Sequence, residues 1–333
     1  SRYTVKATLF NMSPTPADRC RVLELGCGDG TNLASFALAQ PASEFIGIDL
    51  APSAIQRGQE MIRGLQLRNV SLRAADVMDP IGDLGQFDYI IVHGIYSWVP
   101  PAVQDKLLEI CKHNLAPQGI AYISYNTYPG SHARDMVRDM LLFHTRSMTG
   151  AAQRARQGRA LLRLLTQAAP PTAGAYASAI HEEERRFGRM SDGNLLHDDM
   201  NEDWCPVYFH QFVTHAESHR LRFLAEAIYS SSSDGAQPPA VQQMLRQCQD
   251  RLTYEQYLDF AIGRAFRRTL LCREEDRPQD VVTPARILEH DLRARARYQL
   301  VGGGAPDPGP EVAAQFRSLD ESSTVSVAGA PKA

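Results

Sequence analysis

Short apolar runs alternate with amphipathic stretches through the first 148 residues. The runs at 21–25, 44–48, 70–74, 87–92 and 120–125 read as strands, and helices are expected near 31–40, 52–64 and 101–114. Phe87-Asp88-Tyr89-Ile90-Ile91-Val92 is apolar along nearly its whole length, the pattern of a strand buried on both faces. Pro101 suits the first turn of a helix, and Ala116-Pro117-Gln118-Gly119 reads as a turn. Strand and helix in alternation imply an α/β fold: a Rossmann-like, doubly wound parallel sheet. Beyond residue 150 the text becomes mainly helical, at 151–166, through Glu182–Arg186, through Val207–His219, and near 238–250 and 254–263. Two further strand patterns, 220–226 and 266–272, are expected to close the sheet as an antiparallel edge. The expected organisation is one domain over 1–148 and a mainly helical one over 149–290. A linker at Gly302–Pro310 and a partial C-terminal segment fall within 291–333.

The first strand runs into Glu24-Leu25-Gly26-Cys27-Gly28-Asp29-Gly30, where alternate glycines allow a sharp turn and close approach of a ligand to the main chain. A P-loop would end in Gly-Lys-Ser/Thr, but Thr31-Asn32 follows Gly30. A dinucleotide fingerprint would place its third glycine or alanine at 31, which is Thr. The loop carries Glu24 and Asp29 and no basic residue, so it suits a ligand with a cationic centre better than a pyrophosphate. In this motif the chain resembles class I S-adenosylmethionine methyltransferases. The resemblance implies S-adenosylmethionine as cofactor, S-adenosylhomocysteine as product, and contacts from Glu24, Gly26, Cys27, Gly28, Gly30 and His93. Asp49, at the end of the second strand and nineteen residues past Gly30, is spaced to accept from two ribose hydroxyls; its structural alternative is a cap on the helix at Ala51. Leu50, Asp76 and Val77 are expected around the adenine, with a turn role as the alternative for Asp76.

In an open α/β sheet, ligands sit outside the carboxyl ends of the strands. There the fourth and fifth strands deliver His93-Gly94-Ile95-Tyr96-Ser97-Trp98 and Tyr125-Asn126-Thr127-Tyr128. His93, Tyr96, Trp98, Tyr125 and Asn126 are the candidate catalytic residues, expected to wall a narrow channel that holds an amine; loop anchoring is the alternative for each ring. His215 and His219 stand one helical turn apart, but Thr214–His219 lacks the H-E-x-x-H pattern, and His197-Asp198-Asp199 reads as a solvated turn. No metal is expected. Arg156, Arg159 and Arg163 share a helix face and read as solvated, with an acidic partner as the alternative.

Composition narrows the field. The 333 residues are 44% apolar and 22% charged with a net charge of −3, an ordinary globular balance that argues against a polyanionic partner. No Asn/Asp-Pro-Pro-Tyr/Phe motif follows the fourth strand, so nucleic-acid methylation is not expected. No apolar run approaches the ~20 residues of a membrane span, and no signal-peptide pattern opens the chain. Six scattered cysteines without a C-x-x-C pair read as reduced thiols of a cytoplasmic protein.

Phe87–Pro100, Ser124–Gly130, Val207–Phe212, Glu255–Phe260 and Phe266–Arg273 are similar to the bacterial methyltransferases that carry a methyltransferase regulatory domain, a likeness covering roughly residues 5–290. That family includes protein-lysine methyltransferases of outer-membrane proteins. The resemblance implies a catalytic domain, a helical domain that admits substrate, and a protein lysine as acceptor. The family pattern also includes a segment before the part that begins here at Ser1 and a further domain after Ala333; Ala261–Ala265 stands where the family is richer in arginine. Two other readings are a small-molecule N- or O-methyltransferase and a non-catalytic cofactor-binding interaction module.

Overall fold

The computed structural model describes residues 2–79, 84–170, 172–228 and 234–283, together with Arg286 and the short strands 296–299, 314–318 and 324–327. The expected linker at 302–310 lies outside the described residues. Two compact units divide at Val282/Thr283.

The first unit is built on a seven-stranded sheet in the order β3-β2-β1-β4-β5-β7-β6. Its strands are β1 (Arg21–Leu25), β2 (Glu44–Asp49), β3 (Val70–Ala74), β4 (Phe87–Val92), β5 (Leu115–Asn126), β6 (Leu221–Glu226) and β7 (Phe266–Arg273). The first five pair in parallel, as the alternation of apolar runs and helices implied. The late strands refine that picture. β7 is inserted antiparallel between β5 and β6, so the outermost strand β6, antiparallel to β7, points the same way as β5. The expected turn at 116–119 is instead the irregular start of β5, with Gln118 at φ 63° and a register shift opposite Phe87–Tyr89.

The sheet is covered on both faces, which explains its nearly continuous apolar strands. On one face, α1 (Arg2–Leu9), α2 (Thr31–Ala39) and α3 (Pro52–Gly64) bury Ala7, Leu33, Ala37, Ile55 and Ile62 against Val22, Phe45, Leu72 and Tyr122. On the other, α4 (Pro101–Asn114) and α9 (Phe209–Ser218) pack Leu107, Leu108, Cys111, Phe209 and Phe212 on Leu23, Ile90, Ile123 and Tyr125. Between β5 and α9 the chain makes a helical bundle: α5 (His132–Thr145), α6 (Ala151–Ala168), α7 (Ala175–Gly188) and α8 (Asp192–Asp199) close around Val137, Leu141, Leu162, Ile180, Phe187 and Leu195. Asp199, expected in a solvated turn, is fully buried and pairs with Arg134 and Arg186, because it ends α8 against two neighbouring helices. Arg159 is likewise drawn inward, donating to the carbonyls of Phe187 and Met190 and pairing with Asp192, whereas Arg156 and Arg163 stay exposed. After β6, α10 (Pro239–Arg246) and α11 (Arg251–Ile262) lead into β7. The second unit contains the antiparallel strands β8 (Ala296–Gln299), β9 (Ala314–Ser318) and β10 (Thr324–Val327), with β9 central.

Candidate functional site

The glycine loop leaves β1 over the end of β2. Gly26 N–H and Cys27 N–H both donate to the Ile48 carbonyl, at 2.7 and 3.1 Å, and Gly28 N–H donates to Asp49 Oδ2 at 2.7 Å. Gly30, at φ 69°, turns the chain into α2 in a conformation that a side chain would strain. Asp49 also accepts from Ala51 N–H at 2.8 Å, closing the turn that leads into α3 without capping the helix itself; each carboxylate oxygen retains a lone pair for a further donor. Leu50 beside it is 69% exposed, an apolar surface on which a flat ring could rest. Asp76 accepts from Met78 N–H at 2.9 Å, closing a turn after β3.

Glu24 is the anomaly. Oε1 accepts from Asn32 at 2.9 Å, but the buried Oε2 accepts no hydrogen bond among the described residues. Burial drives its pKa to about 7, only partly opposed by Asn32. A buried carboxylate oxygen without a donor costs stability, and a cationic group arriving over the loop would satisfy it. Cys27, also buried, has its thiol pushed up to about 12, first by burial and then by Asp49, so it is an inert loop residue.

The loop depends on a residue the sequence did not flag. A Cβ on Gly58 of α3 would lie 2.2 Å from the Asp29 carbonyl oxygen. Gly58→Ala must therefore separate α3 from the loop, and overpacking of this kind costs about 1–3 kcal/mol. The expected result is a melting temperature lower by several degrees and binding of S-adenosylhomocysteine weaker by at least tenfold. Thermal unfolding and calorimetric titration check both.

At the end of β4, the exposed His93 places Nδ1 2.8 Å from Ser124 Oγ and 3.3 Å from the Tyr122 hydroxyl, and Gly94 N–H donates to the same serine oxygen at 2.9 Å. Although part of the ring is exposed, the protein packed against its other side partly desolvates it, and this, then the Arg268 cation, hold the imidazole below its usual pKa, favouring the neutral ring. Alternation along the strands explains the company: Tyr122, Ser124 and Asn126 of β5 share a face, and the partners of Ser124 and Asn126 on β7 are Arg268 and Phe266. Tyr3 of α1 stacks on Tyr122 with ring centroids 5.3 Å apart, and the Arg268 guanidinium lies over the Phe266 ring. Tyr3, Tyr122, Ser124, Phe266 and Arg268 were missed by sequence reasoning. The odd–even alternation of β5 would have found Tyr122 and Ser124; nothing local would have found the others.

Three expected channel residues lie elsewhere, Tyr125 by the same alternation of β5 and Tyr96 and Trp98 through the 3₁₀ turn that follows β4. Tyr96 and Tyr125 are each 1% exposed on the opposite face, packed on Phe212. The Tyr96 hydroxyl is 2.7 Å from His215 Nδ1, and that of Tyr125 is 3.1 Å from Thr269 Oγ1, so both are spent inside the core. Trp98, in a 3₁₀ turn spanning Tyr96–Trp98, packs on Trp204 at 4.4 Å with the Arg134 and Arg138 guanidinium groups over its ring, and so anchors the helical bundle. Asn126 stays near His93's face, and its backbone N–H donates to Ser97 Oγ.

A methyltransferase-domain profile matches residues 16–167, and a profile described as a predicted methyltransferase regulatory domain matches residues 191–273. Two uncharacterized proteins of Rickettsia prowazekii (strain Madrid E) are similar. RP789 is 38% identical over 269 residues, covering 81% of this chain and 49% of that protein; RP028 is 36% identical over 216 residues, covering 65% and 86%. Among solved structures, PKMT2 from Rickettsia typhi in complex with AdoHcy superposes with a TM-score of 0.84 at 30% identity, over 98% of this chain and 63% of that one. The chain thus spans about half of RP789 and less than two thirds of PKMT2. Among the described residues no helix is long and apolar enough to cross a membrane.

Proposed function

The chain belongs to the class I S-adenosylmethionine-dependent methyltransferases that carry a methyltransferase regulatory domain, and from that premise we propose that it methylates the side-chain amine of a protein lysine. The observation that carries the cofactor assignment is the buried Oε2 of Glu24, without a hydrogen-bond partner among the described residues, beside a glycine loop whose Gly28 faces open space. In this reading Glu24 holds the cofactor ammonium, Gly26–Gly30 line its path, Asp49 accepts from the ribose, and Leu50 with Asp76 and Val77 border the adenine. When bound, the cofactor supplies an electrophilic sulfonium methyl whose leaving group is a neutral thioether.

The acceptor side is then assigned to His93, Tyr122 and Ser124. A lysine must lose a proton before it can attack, and being neutral at pH 7 costs about 4.6 kcal/mol from an ordinary pKa. His93, kept neutral by its surroundings and oriented when Nδ1–H donates to Ser124, offers Nε2 to take that proton. Arg268, which has no carboxylate partner among the described residues, disfavours the charged amine in the same place. The exposed position of His93 supports an acceptor presented on a protein surface, and the likeness to PKMT2 of Rickettsia typhi supports lysine in particular.

Incubating the chain with methyl-labelled S-adenosylmethionine and a bacterial extract tests the proposal. Label in protein that resists base hydrolysis is the expected result; label confined to small molecules would replace it with the small-molecule reading. His93→Ala is expected to lower kcat by about a hundredfold, with the affinity for S-adenosylhomocysteine unchanged. Stopped-flow transfer and calorimetry read the two effects separately.

A further inference from the structure

On the sheet face away from His93, three ligating atoms from two distant parts of the chain converge. His215 Nε2 lies 2.7 Å and His219 Nε2 3.0 Å from the same atom, Asp105 Oδ1. Asp105 belongs to α4, within the methyltransferase-domain match; the histidines lie on α9 and its C-terminal end, within the regulatory-domain match. All three ligand atoms fall within 4.8 Å of one another. We infer that Asp105, His215 and His219 form a binding site for a divalent transition-metal ion, Zn²⁺ by preference, which ties α9 to α4.

The donor set selects the metal. Two imidazole nitrogens and one carboxylate oxygen suit Zn²⁺ and its neighbours, whereas Mg²⁺ and Ca²⁺ take oxygen ligands. Bonds of about 2.0–2.2 Å in a tetrahedron require ligand atoms about 3.3 Å apart. The two histidine–carboxylate separations need only a few tenths of an ångström of opening, the two imidazole nitrogens already lie within 4.8 Å of each other, and the Asp105 side chain is 62% exposed. Its exposure also gives the ion an entry path and leaves the fourth position to water. The histidine rings lie side by side, with centroids 5.4 Å apart.

A further contact orients the first ring. Tyr96 places its hydroxyl oxygen 2.7 Å from His215 Nδ1. A histidine that ligates through Nε2 carries its proton on Nδ1, and the tyrosine oxygen is positioned to accept it, the usual second partner of a metal-bound imidazole. Tyr96 follows His93 in the loop after β4, so the ion would brace the inner side of the same loop whose outer end carries the candidate base. No part in the methyl transfer itself is assigned to it.

The full chain, freed of metal with chelator, is titrated with ZnCl₂ by calorimetry and its melting temperature is followed. The expected result is one equivalent bound with micromolar or tighter affinity and a melting temperature several degrees higher. His219→Ala and Asp105→Asn, neither of which touches Tyr96, should each weaken binding at least thirtyfold with the circular dichroism unchanged. Co²⁺ in place of Zn²⁺ should give the intense visible bands of a tetrahedral site. Absence of stoichiometric binding, or binding that both variants retain, would overturn the inference and leave the cluster as hydrogen bonds alone.

Discussion

Replacing Glu24 with glutamine is expected to weaken S-adenosylmethionine binding by about a hundredfold and to remove one segment of the pH dependence of stability. The carboxylate is buried, has one partner, and titrates near pH 7 in place of its ordinary 4.5. Its folded pKa is raised, so its contribution to folding is fully present below pH 4.5 and is lost as pH rises toward 7. A rise from 4.5 to about 7 corresponds to about 3 kcal/mol. The cofactor-free protein should therefore lose about that much stability across this window, and the Glu24→Gln variant should not. An ammonium at Oε2 reverses the balance, since it needs the ionised form. Affinity for the cofactor should then fall roughly tenfold per unit as pH drops below 7, with proton release on binding. The glutamine variant keeps the volume but loses a charge-assisted bond of about 1.5–3 kcal/mol and leaves the ammonium uncompensated. Urea titrations from pH 4.5 to 8, with calorimetric titrations in buffers of different ionisation enthalpy, read both effects. A wild-type affinity flat from pH 5 to 8 would remove Glu24 from the cofactor site.

What the sequence revealed and what it hid have one physical origin. β1, β2, β4 and β5 were legible because strands covered on both faces are apolar at nearly every position, and the glycine loop because its backbone demands are local. The cost of that continuity is that an apolar run does not declare which face each side chain takes. Tyr125 therefore looked equivalent to Tyr122 in type, although the two stand on opposite faces of β5, and Tyr96 lies in a 3₁₀ turn where no strand alternation places it. The position of β7 between β5 and β6 was hidden for a related reason: a strand order is a long-range choice that pattern does not encode. His215 and His219 showed the spacing of a ligand pair, but their third partner, Asp105, lies 110 positions earlier in the chain. Gly58 looked like an ordinary helix residue, since the loop it accommodates is remote in sequence.

The largest stability effect is expected at Arg267, a fully buried side chain near the start of β7. Its guanidinium donates to both oxygens of Asp259 at 2.8 Å, to Glu255 Oε2 at 3.0 Å and to Glu226 Oε2 at 3.3 Å, and it lies 3.8 Å from the centroid of Phe209. Arg264 pairs with Asp259 as well, so two guanidinium groups meet three carboxylates in the interior, and Lys6 donates to the main-chain carbonyl of Glu226. Arg267→Ala would leave the carboxylates short of a partner, at a cost of about 3–5 kcal/mol and a melting temperature lower by roughly 10 °C. Arg267→Lys keeps the charge but cannot span three acids, and should fall between. Neutralising the orphaned acids in the same variant, with Glu226→Gln and Asp259→Asn, should recover part of the loss, because much of it is the burial of unpaired charge. The cluster also has a functional consequence. Arg267 lies between Phe266 and Arg268, whose side chains take the opposite face beside His93. An arginine held by three carboxylates on one face fixes the strand that delivers its two neighbours to the other. Arg267→Lys should therefore lower methyl transfer even at temperatures where the variant is fully folded, while cofactor affinity, set at β1 and β2, stays near wild type. Denaturation curves give the stability, and transfer assays well below the transition give the positioning effect. Equal loss of transfer and cofactor binding would mean that the cluster supports the domain as a whole and not the face of β7 in particular.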